Sequence, residues 1–170
     1  MENQPSPGNN LSPKQIQKKF GYEFIPRFDE DGFAFAFKDG KEFKIGRDGL
    51  RAFPQYESFS YFDKFGFAVA YKQNRKQVFI NKKGEQVFSE EFEHARNFTE
   101  GGIALVKQNG KYFHIKTDGT PLYEGRYDFA DEGVGEVHVL EGTNIHTINN
   151  KGEIIETKLA SGSWLDYVAE

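Results

Sequence analysis

Four glycines recur at a nearly constant spacing along the chain, and each closes a similar five-residue phrase. They are Gly49, Gly84, Gly119 and Gly152, so the spacings are 35, 35 and 33 residues. The phrases that end at these glycines are IGRDG, INKKG, IKTDG and INNKG. A fixed period of this size indicates a repeat architecture in which one small unit is used several times. The repeat constrains the fold strongly but specifies no biochemical activity.

A second pattern lies upstream of each closing glycine and indicates a strand. An aromatic residue is followed four positions later by glycine and then by a small residue: Phe28–Gly32–Ala34, Phe62–Gly66–Ala68, Phe98–Gly102–Ala104 and the looser Phe129–Gly133–Gly135. Apolar side chains then alternate, as in Phe33 and Phe35 against Ala34 and Ala36. This period of two predicts a β-strand, and two apolar faces predict a strand covered on both sides. The recurring small residues predict close approach of another layer on that face.

The rest of each unit predicts a β-meander. Asp39-Gly40 and Asn109-Gly110 favour tight hairpin turns, whereas the second copy lacks this glycine and is expected to turn less tightly. In each closing phrase we expect a type I turn followed by a left-handed residue, which favours glycine. A third strand is predicted to begin four residues later, at Phe53, Phe88 and Tyr123. Each unit is thus a three-stranded meander.

The two ends of the chain depart from the repeat. Ser12 with Gln15 forms a capping box, Pro13 suits the first helical position and Gly21 suits the stop, so residues 13–20 are predicted to be helical. The predicted organisation is a polar tail with a short capping helix at 1–19, repeats at 20–156 and a C-terminal cap at 157–170. The repeats are bounded as 20–51, 52–86, 87–120 and 121–156. Ile154 and Ile155 resemble the start of a fifth unit that then breaks off.

The predicted fold class is all-β, with four tandem three-stranded repeats and one short N-terminal helix. Two arrangements fit this pattern, an open solenoid-like array and a radially closed, propeller-like array. Closure requires one end of the chain to complete the unit at the other end. Residues 22–25 are predicted to do so, as a strand added to the last unit.

The repeat resembles the WG-repeat family of bacterial proteins, also called KWG repeats. Residues 62–68 with 80–84, and 98–104 with 111–119, carry the resemblance, which covers residues 20–156. The family is named for a Trp-Gly pair before the returning strand. Here the corresponding pairs are Glu42-Phe43, Gln77-Val78, Tyr112-Phe113 and Ile145-His146, which indicates a divergent member. The resemblance implies an interaction or structural module and supplies no catalytic residues.

Composition argues against several classes of function. The net charge is −4 with both signs interspersed, unlike the basic surface of a general nucleic-acid binder. There is no cysteine, so neither disulfides nor thiolate metal sites are expected. The N-terminal residues show no apolar core of a signal peptide, and no run approaches the ~20 apolar residues of a membrane span. We therefore expect a cytoplasmic protein without a membrane or nucleic-acid partner.

Chemistry-bearing residues do not form a recognisable catalytic or metal motif. His94, His114, His138 and His146 lack metal-ligand spacing, although His114 and His146 fall in neighbouring returning strands. The acidic run at 29–31 lacks the later ligands of a calcium loop and is interpreted as a turn. The acidic run at 89–93 is interpreted as a solvated strand entry. We expect no enzyme activity, no cofactor and no metal.

The candidate functional residues are aromatics that break the equivalence between repeats. They are Tyr61, Phe65, Tyr71, Trp164 and Tyr167. Aromatic residues are enriched at binding hot spots, so these positions predict a patch that binds another protein. The main hypothesis is a non-catalytic protein-interaction or scaffolding module. Two alternatives are a carbohydrate or small-ligand module with aromatic platforms and a hydrolase with dispersed carboxylates. The sequence specifies neither the binding face nor the oligomeric state.

Overall fold

The computed structural model describes residues 11–167, with side chains described as far as residue 164. Within that range the chain is mostly β, with small antiparallel sheets and one short α-helix. It forms two compact units, of which unit 1 ends at Ser58 and unit 2 begins at Phe59. The predicted all-β class and the N-terminal helix are confirmed. No helix in the described range is long and apolar enough to cross a membrane.

The strands follow the order of the repeats. The elements are α1 (Pro13–Phe20), β1 (Ala34–Lys38), β2 (Lys41–Ile45), β3 (Ser58–Phe59), β4 (Ala68–Tyr71), β5 (Gln77–Ile80), β6 (His94–Ala95), β7 (Ile103–Gln108), β8 (Lys111–Lys116), β9 (Phe129–Ala130), β10 (Val137–Glu141), β11 (Asn144–Ile148), β12 (Ile154–Leu159) and a 3-10 helix, Gly162–Tyr167. The sheets have the orders β1-β2, β3-β4-β5, β6-β7-β8 and β12-β11-β10-β9. Each sheet contains the outgoing and returning strands of one repeat.

Helix α1 begins and ends as the sequence predicts. The Ser12 side chain accepts the backbone N–H of Gln15, and the Gln15 side chain accepts the backbone N–H of Ser12. Gly21 follows the helix in the left-handed conformation, with φ of 70°. The helix buries Ile16 against Ile25 and the alanine face of β1, which form the core of unit 1.

Residues 22–25 do not complete the last unit, so that prediction is wrong. The N–H of Glu23 donates to the carbonyl of Phe37, and the N–H of Phe37 donates to the carbonyl of Phe24. This segment therefore pairs with the edge of β1, to which the short linker after α1 leads directly. It supplies the first, short strand of its own repeat.

The predicted turn chemistry is confirmed. Asp39-Gly40 and Asn109-Gly110 have positive φ at both residues, as a tight hairpin turn of this type requires. In the second copy the bond from Lys72 N–H to the Lys76 carbonyl closes a longer turn, with Arg75 left-handed. The four closing glycines have φ between 79° and 83°, and each donates its N–H to the carbonyl three residues earlier.

The predicted third strands are wrong in the first three repeats. Phe53, Phe88 and Tyr123 lie outside any strand, and the returning strands pair with single residues instead, at Arg51, Gln86 and Pro121. A Cβ on Gly119 would lie 2.6 Å from the Phe88 ring, so that ring has turned inward over the next closing glycine. A full third strand forms only in the fourth sheet of the described chain. It is β12, which pairs with β11 and so completes the fourth repeat, although Ile154 and Ile155 suggested a fifth.

The segment after this turn passes the chain from one sheet to the next. Phe92 exchanges backbone hydrogen bonds with Gln77 in β5, and β6 then pairs with β7 of the following sheet. Tyr127 does the same with Tyr112 in β8 before β9 pairs with β10. This linkage joins the sheets of unit 2, and one apolar core runs from Val69 to Ile148.

At three places in the described chain, an acidic residue that follows an aromatic residue stabilises a hairpin. Glu93 accepts the N–H of Gly110 at 3.2 Å, and Asp128 accepts the N–H of Gly142 at 3.0 Å. In unit 1, Glu23 accepts the N–H of Asp39 at 2.9 Å. These carboxylates therefore have a structural role that recurs with the repeat.

Candidate functional site

The predicted binding aromatics of the second repeat are exposed to different degrees. The exposed fractions are 69% for Tyr61, 38% for Phe65 and 40% for Tyr71. Tyr61 lies between β3 and β4, Phe65 lies in the turn before β4, and Tyr71 ends β4. The side chain with the largest free surface is therefore that of Tyr61.

The backbone at Tyr61 is fixed by the third repeat. Asn97 donates its side-chain amide to the Tyr61 carbonyl at 2.7 Å and accepts the Ser60 hydroxyl at 2.7 Å. One step along, the N–H of Phe98 donates to the Asp63 carboxylate at 3.1 Å. Asn97 occupies the place in its repeat that Tyr61 occupies in the second. The mismatch between the copies thus has a structural reason, since the smaller amide reaches the neighbouring backbone.

Phe65 is partly engaged in packing. Its ring lies edge-on to Phe98, with centroids 6.2 Å apart, and the Lys64 ammonium lies 5.2 Å from its centroid. A Cβ on Gly102 would lie 3.5 Å from the tip of this ring. Phe65 therefore covers the start of the third repeat while its remaining surface faces solvent.

Trp164 lies against the fourth sheet. Its ring packs edge-on against Phe129, the first residue of β9, with centroids 5.5 Å apart. The side chain of Tyr167 lies outside the part of the chain that the structure describes. Of the predicted residues, Trp164 is therefore the one that contacts the lining of a groove, because Phe129 is among the residues that line it.

This groove lies in unit 2 between strands of the third and fourth sheets. Its volume is about 580 Å³. The lining residues come from β6 and its flanks, from β7 and β8, and from β9 and the residues after it: Glu93, His94, Arg96, Leu105, Lys107, Tyr112, Phe129, Ala130, Asp131 and Glu132. The passage of the chain from β8 to β9 places these side chains together.

The rings of Tyr112 and Phe129 line the groove, and Trp164 extends this row of rings beyond the lining. Tyr112 lies against Phe129 with centroids 5.6 Å apart, and Phe129 in turn contacts Trp164. Tyr112 and Phe129 are both half-buried, so each ring keeps surface available for contact. The Lys107 ammonium lies 4.9 Å from the centroid of Tyr112, a cation–π contact that holds the lysine over the ring.

Charges of both signs border this row. Arg96 and Glu132 form an ion pair at 3.4 Å, and both side chains are more than half exposed. Burial lowers the pKa of His94 below its ordinary value, and the nearby Arg96 and Lys107 lower it further. His94 is therefore neutral at physiological pH and offers ring nitrogens as a donor and an acceptor.

A buried hydrogen-bond network fixes the far side of the groove. His114 is fully buried, and its Nε2–H donates to the Asp131 carbonyl at 2.7 Å while its Nδ1 accepts the Tyr123 hydroxyl at 2.6 Å. Burial lowers the pKa of His114 and raises that of Tyr123. The Asp131 carboxylate binds His138, accepting Nδ1–H at 2.8 Å and the backbone N–H at 2.9 Å. These bonds position Asp131 from both directions, so this wall of the groove is preorganised.

Within the described residues, no three or more His, Asp or Glu side chains are arranged to hold a metal ion. His114 and His146 are separated by two tyrosine rings, because Tyr123 contacts His114 and Tyr127 contacts His146. Asp29 accepts the N–H of Phe33 at 2.8 Å, which confirms that the acidic run there is a turn.

The groove residues Arg96, Lys107, Tyr112 and Phe129 were not predicted from the sequence. Phe129 stands at a position that is phenylalanine in every copy, whereas Tyr112 stands where the other copies have Glu42, Gln77 and Ile145. A weak signal was present, since Lys107 stands where the second repeat has Tyr71 and the first has Phe37. That exchange of an aromatic for a lysine marks the opening of the groove.

The comparison with family models finds one match. Residues 79–112, from β5 to β8, match the model described as WG containing repeat. The match supports a WG-type repeat in this chain and overlaps the residues that carry the sequence resemblance. The comparison with curated proteins gave no match.

Several solved structures are similar to the chain. The WD40 β propeller domain of Doa1 matches with 10% identity and a TM-score of 0.40, over 82% of this chain and 55% of that chain. A structure described as the eukaryotic initiation factor matches with 10% identity and a TM-score of 0.47, over 82% of this chain and 44% of that chain. BamB from Moraxella catarrhalis matches with 14% identity and a TM-score of 0.39, over 84% and 54%. The chain spans about half the length of these solved structures.

Proposed function

We propose that this chain is a non-catalytic protein-interaction module that binds an extended segment of a partner protein in the groove of unit 2. The observation that carries the proposal is the pair of rings Tyr112 and Phe129, which line one concave surface beside charges of both signs, with Trp164 packed against Phe129. Aromatic anchors at the centre of a polar rim are typical of protein-binding sites.

Preorganisation of the groove supports binding. Phe129 is held between two rings, and Asp131 is fixed by His114 and His138, so little side-chain freedom is lost when a partner enters. The exposed Arg96–Glu132 pair lies at the rim, where it is available to meet charges of a partner. A partner segment with an apolar anchor and flanking charges fits this arrangement.

The broader assignment is part of the same proposal. We infer a divergent member of the WG-repeat family, because the family model matches one part of the chain while the Trp-Gly pair is absent at all four corresponding places. The partner is another protein, encountered in the cytoplasm, with no role for nucleic acid or membrane. Tyr61, Tyr71 and the exposed part of Phe65 stay candidates in the second repeat, as does Tyr167 together with Trp164.

Peptide display tests the groove. Random linear peptides are selected on the immobilised chain, and a selected peptide is titrated against variants by fluorescence anisotropy. Phe129→Ala removes the central ring and is expected to weaken binding about tenfold or more. Arg96→Glu, an exposed substitution that places like charges beside Glu132, is expected to weaken it without affecting the fold.

Tyr61→Ala is the matched control, because it removes an exposed aromatic of the second repeat. Binding is expected to be unchanged in this variant, with melting temperatures recorded for every protein. Wild-type affinity in both Phe129→Ala and Arg96→Glu contradicts the groove proposal. Loss of binding in Tyr61→Ala alone assigns the site to the second repeat instead.

The alternative is a carbohydrate-binding module, and the same groove supports it. Rings beside carboxylate and guanidinium groups suit a sugar, whose apolar face stacks on an aromatic while its hydroxyls bind charged groups. A glycan array probed with the wild type and with Phe129→Ala separates the two functions. A glycan bound by the wild type and lost in the variant favours the alternative.

A further inference from the structure

Strand β12 is an edge strand whose six residues are all exposed. Three of them are large and apolar: the exposed fractions are 52% for Ile154, 54% for Ile155 and 72% for Leu159. An edge strand of this length with exposed apolar residues is a template for pairing with another strand.

The direction of the free backbone groups follows from the register. Ala160 donates its N–H to the Thr143 carbonyl at 2.8 Å, and Lys158 and Glu156 lie opposite Ile145 and Thr147 in β11. Antiparallel pairs alternate between bonded and non-bonded, so Glu156 and Lys158 direct their backbone groups to β11. Thr157 and Leu159 then direct theirs outward. The register shift between Thr147 and Ile148 leaves Ile155 as the extra, bulged residue.

We propose that β12 pairs antiparallel with β12 of a second copy of this chain, with Thr157 opposite Thr157 across a two-fold axis. The outward N–H and C=O groups of the two threonines then bond to each other. Leu159 of each copy lies next to Ile155 of the other, which covers exposed apolar surface. The result is one continuous sheet across two copies, a contact that the proposed groove does not involve.

Charge complementarity selects this register. With Thr157 on the axis, Glu156 of each copy lies directly opposite Lys158 of the other, on the same face of the sheet. Moving the axis by one residue places Glu156 opposite Glu156 or Lys158 opposite Lys158, and like charges directly opposite each other are destabilising. In the single chain Glu156 contacts Lys158 at 4.0 Å and accepts the Thr147 hydroxyl at 3.5 Å. Both charged side chains are more than half exposed, so a second copy can reach them.

Sedimentation equilibrium over about a hundredfold range of protein concentration tests the dimer. The wild type is expected to shift from monomer to dimer. Glu156→Lys places lysines opposite one another and is expected to weaken association about tenfold. The double variant E156K/K158E exchanges the two charges and is expected to restore association. A contact held together by apolar surface alone does not explain such a recovery.

A backbone variant tests the hydrogen bonds separately. Thr157→Pro removes the outward N–H without removing a bond to β11, and proline is tolerated on edge strands. Thr157→Val is its control, because it keeps the N–H while also losing the 2.8 Å bond between the Thr157 hydroxyl and His146. Dimerisation is expected to be lost in Thr157→Pro and kept in Thr157→Val.

Amide hydrogen exchange locates the contact. The N–H groups of Thr157 and Leu159 are expected to become protected as concentration rises, while those of Lys158 and Ala160 are protected at every concentration. A wild type that is monomeric throughout, with fast exchange at Thr157, overturns the proposal. So does a dimer unaffected by both Glu156→Lys and Thr157→Pro, since it uses another surface.

Discussion

Gly49 in unit 1 and Gly119 in unit 2 close the same turn but are covered by different elements. Their φ angles are 81° and 83°, and the same hydrogen bond spans both turns. A Cβ on Gly119 would lie 2.6 Å from the ring of Phe88, which follows β5 of the preceding sheet. A Cβ on Gly49 would lie 2.4 Å from the ring of Phe20, which ends helix α1.

This comparison shows what favours glycine at these two positions. Two requirements coincide at Gly49 and Gly119, a left-handed backbone and the absence of a Cβ beneath a packed aromatic ring. At Gly119 the ring comes from the segment that follows β5 of the preceding sheet, whereas at Gly49 helix α1 supplies it. Phe20 of helix α1 thus makes at Gly49 the contact that Phe88 makes at Gly119.

The largest effect is expected at Gly152, where the covering group is backbone. A Cβ there would lie 2.2 Å from the carbonyl oxygen of Leu122, which cannot move aside as a ring can. Gly152→Ala is expected to lower the free energy of unfolding by about 3 kcal/mol, from the left-handed backbone and the clash together. Chemical denaturation measures it.

Gly110→Ala is the matched control for that variant. Its φ is 76°, but a Cβ would meet nothing within 4 Å. The expected cost is about 1 kcal/mol, from the backbone conformation alone. Equal costs at Gly152 and Gly110 would show that the covering contact does not matter.

Removal of the covering rings is the next largest effect. Phe88→Ala and Phe20→Ala each delete a half-buried ring and are each expected to cost about 2 kcal/mol, less than truncation of a fully buried phenylalanine. Thermal or denaturant unfolding of the two variants compares them directly. A negligible cost for Phe20→Ala would contradict the view that Phe20 makes at Gly49 the contact that Phe88 makes at Gly119.

A double-mutant cycle sharpens this comparison. Gly119→Ala is expected to cost about 1 kcal/mol less when Phe88 is already alanine, because the ring that clashes is gone. The same coupling is expected for Gly49→Ala with Phe20→Ala. Additive costs in either pair would mean that the glycine serves the backbone conformation only.

The smallest effect is a pH dependence that distinguishes the units. All four histidines lie in unit 2, and burial lowers the pKa of His94 and His114 from the ordinary value of 6.5. The unfolded chain then binds more protons than the native one just below pH 6.5, so stability is full above this pH and falls as the pH is lowered. Amide exchange at several pH values is expected to show the loss in unit 2.

His114→Gln is the variant that checks this origin. Its expected result is a weaker dependence of unit 2 stability on pH below 6.5, with the residual dependence left by His94. A dependence of equal size in unit 1, which contains no histidine, would contradict the assignment.

Local signals in the sequence predicted the local structure. Three predicted features each depend on residues within a few positions of one another: the capping box at Ser12 and Gln15, the left-handed Gly21 and the closing glycines. The structure confirms all three. The period of two likewise predicted β1, β4 and β7. These features depend on backbone sterics and on hydrogen bonds between residues close in sequence, so a short stretch of sequence is enough to predict them.

Features that depend on contact between repeats were not predicted. The apolar residues at Phe88 and Tyr123 suggested strands, but packing over the next glycine outweighs pairing with the returning strand. The two faces of β1 also differ, since Ala36 is fully buried whereas Phe35 is 45% exposed. The groove arises where β8 passes the chain to β9, and no single repeat contains it.

The most direct test of the account is chemical-shift mapping with a selected peptide. The proposed interaction module predicts that the amides of His94, Tyr112 and Phe129 shift on titration. It also predicts that in Phe129→Ala the remaining groove amides need about ten times more peptide, or more, to shift as far as they do in the wild type. Shifts centred on Tyr61 and Tyr71, with the groove unperturbed, would contradict the central claim.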